Sequence, residues 1–241
     1  MRNASVETEC GLKLAKVGQL ETGMFAGRIG IVLGNGPQID SLSDATLRAF
    51  EDPRFVVCGV TRICASRRLW EADYAPDLHL IWDPCCAPLG ELDRLLVAGL
   101  EWCAHRTLRI YPAPRSVRAY PADVFVQFDE KDRGPIEHGV KLRASVSDAA
   151  VNLLWRLGVR DVYLFGVQMH TPGHCALVGR DVEPEHERGP WPSEITVSQH
   201  CWNYAQMERE LFGLRCFCAA SDSELVMRGV MPCAWPAGVP E

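Results

Sequence analysis

Two sets of residues in this 241-residue chain have types and spacings that could do chemistry. The first is Gly34-Asn35-Gly36-Pro37, which stops the apolar run Ile31–Leu33 and precedes a helix-start signal at Ser43. Glycines allow close backbone approach, and the amides of such a turn and of the coming helix can hold a phosphate. A plain tight turn would use the same residues. The stretch is not the GxGxxG fingerprint, because Ile39 stands where the third glycine belongs, and it lacks a Walker lysine. The second set is imidazoles. His170 and His174, in "MHTPGH", could ligate a metal together with Glu185, His186 and Glu187. Pro172 and Gly173 oppose the helix that would align the two rings, so contact with a phosphate or sugar is the preferred reading and no metal is expected. His200 opens "HCWNYAQMERELFG"; a histidine at a helix start is favoured as the neutral ring, able to act as a base, whereas a surface histidine is the plainer alternative.

Two further polar residues follow buried runs: Thr61 in "GVTRI" and Asp83 in "IWDP". Each is explained by helix capping or a turn, yet three such endings at one sheet edge would make a cleft.

These residues need a frame to position them. Apolar runs of strand length are Ile29–Leu33, Phe55–Val60, Leu78–Trp82, Leu108–Tyr111, Val124–Phe128, Asp161–Phe165 and Leu214–Cys218. Helical periodicity marks Asp44–Phe50, Leu89–Ala104, Asp148–Leu157 and Gln199–Phe212, with Ser147 as the expected N-cap of the third. The alternation predicts an α/β fold: a doubly wound, mostly parallel, Rossmann-like sheet. Residues 1–27 read as a weakly patterned lead-in and 28–241 as a single domain. Within it, 168–198, rich in Pro, Gly, His and Glu, reads as a lid-like insertion where a central strand ends.

Composition sets bounds. The chain is 47% apolar and 23% charged, with a formal net charge of −6, so no overall basic field points to nucleic acid or to an anionic membrane. No apolar run approaches the ~20 residues of a membrane span, and the N-terminus lacks the apolar core of a signal peptide. Eleven cysteines, an odd number with no CxxC pair, fit reduced thiols in a cytoplasmic protein better than a disulfide framework or a zinc ribbon.

Taken together, "IVLGNGPQID", "VVCGVTRI", "LIWDP", "SVSDAAVNLLWRLGVRDVYLFGVQMH" and "HCWNYAQMERELFGLRCFCAASDSEL" resemble the bacterial lipooligosaccharide-type sialyltransferases and the wider bacterial and phage proteins sharing their "GNGPS" start. The likeness runs unevenly from about residue 29 to 225. It implies transfer of a sugar from a nucleotide donor, first a CMP-linked sialic-acid-like sugar, to an acceptor hydroxyl, without cofactor or metal. The resemblance gives the general base to His200, support to Tyr204 and help with the leaving phosphate to His170. Nucleotide contacts fall to Gly34, Asn35, Gly36, Pro37, Thr61, Asp83, Ser145, Ser147, Gly166, Ser221, Asp222 and Ser223. Departures are Gln38 for Ser, Thr61 and Asp83 where relatives carry Asn, Gln168 for Asp, and His170 for a phosphate-binding Tyr.

Three other readings follow. Phage relatives make a modified nucleobase in DNA an acceptor, with Arg62, Arg67, Arg68, Arg115 and Arg118 as a local basic patch. The departures also suit a non-catalytic nucleotide-binding module. A pterin pyrophosphokinase would need several acidic residues for magnesium, and only Asp83 stands at a suitable strand end.

Overall fold

The computed structural model describes residues 5–7, 13–15, 20–81, 91–112, 123–126, 145–169, 175–176, 178 and 194–241. Near the start, β1 (Ser5–Glu7) and β2 (Lys13–Ala15) pair antiparallel, a hairpin inside the expected lead-in.

The main sheet has seven strands: β3 (Ile29–Leu33), β4 (Phe55–Val60), β5 (Leu78–Leu80), β6 (Leu108–Pro112), β7 (Val124–Val126), β8 (Asp161–Phe165) and β9 (Arg215–Cys218). Their order is β7-β6-β5-β4-β3-β8-β9, and every pair is parallel. The chain winds outward from β3 to β7, then returns to add β8 and β9 on the far side of β3. The strand order therefore reverses between β3 and β8. That is the switch point at whose carboxyl end open α/β sheets hold ligands.

The central strands are covered on both faces, which is why they are apolar at every position rather than at alternate ones. Ile31, Leu33, Phe55 and Val57 pack with Leu47 and Phe50 of α1 (Asp44–Phe50). Val32, Val56, Cys58 and Val60 face the other way, toward α4 (Val146–Arg156) and α5 (Glu194–Glu210), where Ala150, Val151, Leu154, Tyr204 and Met207 meet them. Between β4 and β6 lie a 3-10 turn (Thr61–Ala65), α2 (Arg67–Glu71) and α3 (Glu91–Trp102), with Cys64 and Ala65 packed on Leu96 and Leu100. A last short helix, α6 (Glu224–Met227), follows β9.

Three expectations shift. The N-cap of α4 is Ser145, not Ser147, because Ser145 and Asp148 close a reciprocal capping box and the helix begins at Val146. The last long helix begins at Glu194 rather than Gln199, so the end of the expected 168–198 insertion is helical. Part of the lead-in belongs to the core: Leu20 and Phe25 are buried, and the amides of Gly23 and Phe25 donate to the carbonyls of Arg156 and Leu157 at the end of α4. Those carbonyls lack partners within the helix, so this segment serves as its C-terminal cap.

The described cysteines are free thiols, and all but Cys233 are buried. Burial pushes the Cys58 and Cys175 thiols up to about 12. No helix among the described residues is long and apolar enough to cross a membrane.

Candidate active site

The Gly34–Pro37 turn leaves β3 at the switch point and lies directly on the loop that leaves β8. The Gly34 amide donates to the Phe165 carbonyl and the Gly36 amide to the Gly166 carbonyl, both at 2.7 Å. A Cβ on Gly34 would stand 2.4 Å from the Gly166 oxygen, and one on Gly36 would stand 2.7 Å from it. Glycine is therefore required here by loop-on-loop contact. The two amides expected to hold a phosphate already have protein acceptors. Pro37 then opens a 3-10 turn.

Gln38 and Gln168 complete this seam. The Gln38 amide donates to Gln168 Oε1 at 3.0 Å, and the Gly166 amide donates to Gln38 Oε1 at 2.8 Å. Gln168 Nε2 reaches the Asp222 carboxylate at 3.2 Å, Ser223 Oγ donates to the Val167 carbonyl at 2.9 Å, and the Glu224 amide donates to the Gln168 carbonyl at 3.0 Å. Gly34, Gly36, Gly166, Asp222 and Ser223 are thus brought to one place, with Ser223 also capping α6. Ser221 is exposed at the start of that turn.

Two candidates on the loops that leave β3 and β4 carry polar atoms that the fold leaves unpaired. Asn35 Oδ1 and Thr61 Oγ1 are both buried without a hydrogen-bond partner. Thr61 also has φ +43, a left-handed conformation that a β-branched residue adopts only under strain, at a cost of about 1–3 kcal/mol. Its carbonyl oxygen lies 3.0 Å from Nε2 of the buried His79. Residues 175, 176 and 178 of the expected insertion lie across the loops after β3 and β4. Cys175 donates from its amide to the Asn35 carbonyl, Ala176 to the Asp40 carboxylate, and Val178 to the Ala65 carbonyl. Asp83, His170 and the other parts of the insertion up to residue 193 lie outside the described residues, as do Arg115 and Arg118 of the expected basic patch. Arg68 of that patch pairs with Asp44.

In a parallel α/β sheet the covering helices run back against the strands, so α4 and α5 start at the sheet's carboxyl end. Their first turns hold a second cluster. Ser145 Oγ lies 2.7 Å from Ser147 Oγ and donates to Asp148 Oδ1 at 2.9 Å. Asp148 Oδ2 accepts from the Ser145 amide at 3.2 Å and from Asn203 Nδ2 at 3.3 Å. His200 Nδ1 faces Asp148 Oδ1 at 3.8 Å, too long for a hydrogen bond but within ion-pair range. His200 is in the second turn of α5, past the first turn where the helix-end potential acts.

Tyr204, one turn further along α5, is buried on the same face. Burial, then the Asp148 charge, pushes its phenol well above its ordinary value. Its hydroxyl lies toward Ser147 without a hydrogen bond in good geometry. Asp148 and Asn203 are the residues that sequence reading missed. Ser145-x-x-Asp148 was a readable capping box, and His200, Asn203 and Tyr204 have the spacing of one helix face, but nothing in the sequence says that the two helices adjoin. Among the described residues, no three His, Cys, Asp or Glu side chains group as a metal site.

No family model matches the sequence, and no curated protein matches it either. A solved structure of a MAf glycosyltransferase from Magnetospirillum magneticum AMB-1 is similar, with a TM-score of 0.52 and 17% identity over 85% of this chain. The two share a fold. This chain spans 34% of that protein, about a third of its length.

Proposed function

We propose that this chain transfers a sugar from a nucleotide donor to an acceptor hydroxyl, with a CMP-linked, sialic-acid-like sugar as the first donor to test. The observation that carries the reading is the buried His200, which faces Asp148 at the carboxyl end of a doubly wound sheet shared with a glycosyltransferase. In this proposal His200 takes the proton of the acceptor hydroxyl as the anomeric carbon loses its phosphate. Such help is worth roughly 10²–10⁴-fold. Asn35 and Thr61, with unpaired side-chain oxygens, take ribose or base, and Ser145 and Ser147 lie at the start of α4, whose positive end suits the leaving phosphate. Tyr204 supports His200 from the next turn, and His170 contributes from the insertion. The engaged Gly34 and Gly36 amides favour one second reading, a nucleotide-binding module without turnover.

The test is a thermal-shift panel of CMP, UMP, GMP, ADP and their sugars, with and without EDTA, followed by turnover of any hit. A nucleotide at 100 times its dissociation constant should add about 2.7 kcal/mol. Replacing His200→Ala should lower turnover by about 10²-fold or more and leave nucleotide binding nearly intact. Binding with no turnover of any donor would select the module instead.

A further inference from the structure

We infer that Asp148 is a positioning residue for His200, holding Nδ1 as the protonated ring nitrogen so that Nε2 is the basic atom. The consequence for rate rests on the transferase reading; the arrangement itself does not.

Asp148 is fully buried. A buried carboxylate is costly unless hydrogen bonds and a countercharge compensate it. Two helices send it hydrogen bonds: the Ser145 hydroxyl and amide at the start of α4, and Asn203 Nδ2 of α5. Donors on both sides fix the plane of the carboxylate, and Oδ1 is the oxygen turned to the imidazole. His200 Nδ1 is buried and makes no hydrogen bond among the described residues, and at 3.8 Å a small ring movement closes one to Oδ1. A carboxylate accepts and never donates, so the neutral ring facing it carries its proton on Nδ1. The lone pair is then on Nε2.

The reaction balances on that atom. The acceptor oxygen forms a bond to the anomeric carbon as the bond from that carbon to the phosphate oxygen breaks, and the nucleotide leaves with the electron pair. The hydroxyl proton goes to Nε2. The imidazolium so formed has Asp148 against its other nitrogen, and a charge developing there is stabilised by a group already oriented. A helix cap alone would not require the carboxylate to face a ring on another helix. Gln199 holds the orienting amide in turn, its Nε2 donating to Asn203 Oδ1 at 3.2 Å.

The deciding experiment is long-range proton–nitrogen NMR of the free, histidine-labelled protein at pH 8, with the signal assigned by H200Q. The expected result is the Nδ1–H tautomer in the wild type and a shift toward Nε2–H in D148N. S145A removes one donor to Oδ1 but keeps the charge and the two donors on Oδ2, the Ser145 amide and Asn203 Nδ2, and should keep the wild-type tautomer. For any donor turned over, D148N should lower kcat at least about tenfold, short of the full ~10²–10⁴-fold contribution of the base, with KM for the nucleotide sugar unchanged. A wild-type ring protonated on Nε2 overturns the inference even if D148N does not fold, and so does a tautomer that D148N leaves unchanged. If the wild type turns over no donor, the transferase reading falls while the tautomer still decides this one.

Discussion

Gln38 and Gln168 stand 130 positions apart and hold each other's loops: the backbone of Gln38 binds the side chain of Gln168, and the side chain of Gln38 binds the backbone two residues before Gln168. Both are departures from the sialyltransferase pattern. Together they form one compensated seam across the switch point, which separates their meaning from loss of a site. A hydrogen bond of this kind contributes about 0.5–1.5 kcal/mol net, and a buried amide left unpaired costs about 1–3 kcal/mol. Gln38→Ala and Gln168→Ala should each destabilise by an amount in that range. Since either change frees the same loops, the double variant should lose at least about 0.5 kcal/mol less than the sum. Urea denaturation of the four proteins measures this, and strict additivity would show that the two bonds are independent.

Gly34 tests whether the opening glycines serve packing. A Cβ there would meet the Gly166 oxygen at 2.4 Å and Val167 Cγ2 at 2.8 Å, neither able to yield without moving β8's loop. Gly229 has φ +67 and open space around it, so alanine there meets backbone strain alone. Gly229→Ala should cost about 1–2 kcal/mol, and Gly34→Ala should cost that sort of amount from the clash, roughly 1–3 kcal/mol, plus its disrupted loop bonds. A Gly34→Ala shift smaller than that of Gly229→Ala would mean that the loops separate freely.

Much of this frame was legible in the sequence. β3, β4 and β8 fall residue for residue on Ile29–Leu33, Phe55–Val60 and Asp161–Phe165: β3 and β4 are continuous apolar runs because both their faces are covered, and β8 differs only at the half-buried Asp161 and Tyr163. Helix starts were harder. Ser147 and Ser145 are both good caps, and only the reciprocal bonds with Asp148 decide between them. The first turn of α5, "EITV", is β-branched and follows a proline-rich stretch, so it carried no helical signal. The candidate site was legible by type and not by pairing. Ser145 and Ser147 were readable as polar residues at a helix start, and His200 and Tyr204 as neighbours on one helix face, whereas the Asp148–His200 approach depends on two helices meeting across 52 positions.

Asp77 and His79 make opposing pH predictions. Burial raises the Asp77 carboxyl to about 6, against the Val57 amide and Arg28, which favour the charge. Burial lowers His79 to about 4. A group raised in the fold contributes stability at low pH that is lost as pH climbs through its folded value, here from about 4 to 6. A group lowered in the fold contributes stability present above 6.5 and lost as pH falls toward 4. The two slopes oppose each other over about pH 4–6, each amounting to on the order of 3 kcal/mol. Removing the Asp77 charge by Asp77→Asn should expose the histidine, so that the variant loses stability more steeply than wild type as pH falls from 6.5 to 4. His79→Gln should do the reverse. Chemical denaturation at four pH values checks both, and parallel curves for all three proteins would show that neither group is buried as described.

Thr61 separates stability from binding at a single position. Its φ of +43 suits glycine or asparagine, and relatives by resemblance carry asparagine there. Thr61→Gly and Thr61→Asn should therefore hold or raise stability, by up to about 1 kcal/mol, as the strain is released. Thr61→Val keeps the β-branch and the strain but removes the buried, unpaired Oγ1, so its stability should match or exceed wild type. If that hydroxyl is kept for a nucleotide, Thr61→Val must weaken binding by roughly 1–3 kcal/mol, the cost of leaving the ligand's group unpaired, while its melting curve without ligand is not lowered. Asparagine, able to donate and accept, should retain part of the affinity. Calorimetric titration with the best nucleotide of the panel, beside unliganded melting curves, measures the two effects separately. A valine variant that binds as tightly as wild type would remove Thr61 from the site and leave its strain a matter of the turn alone.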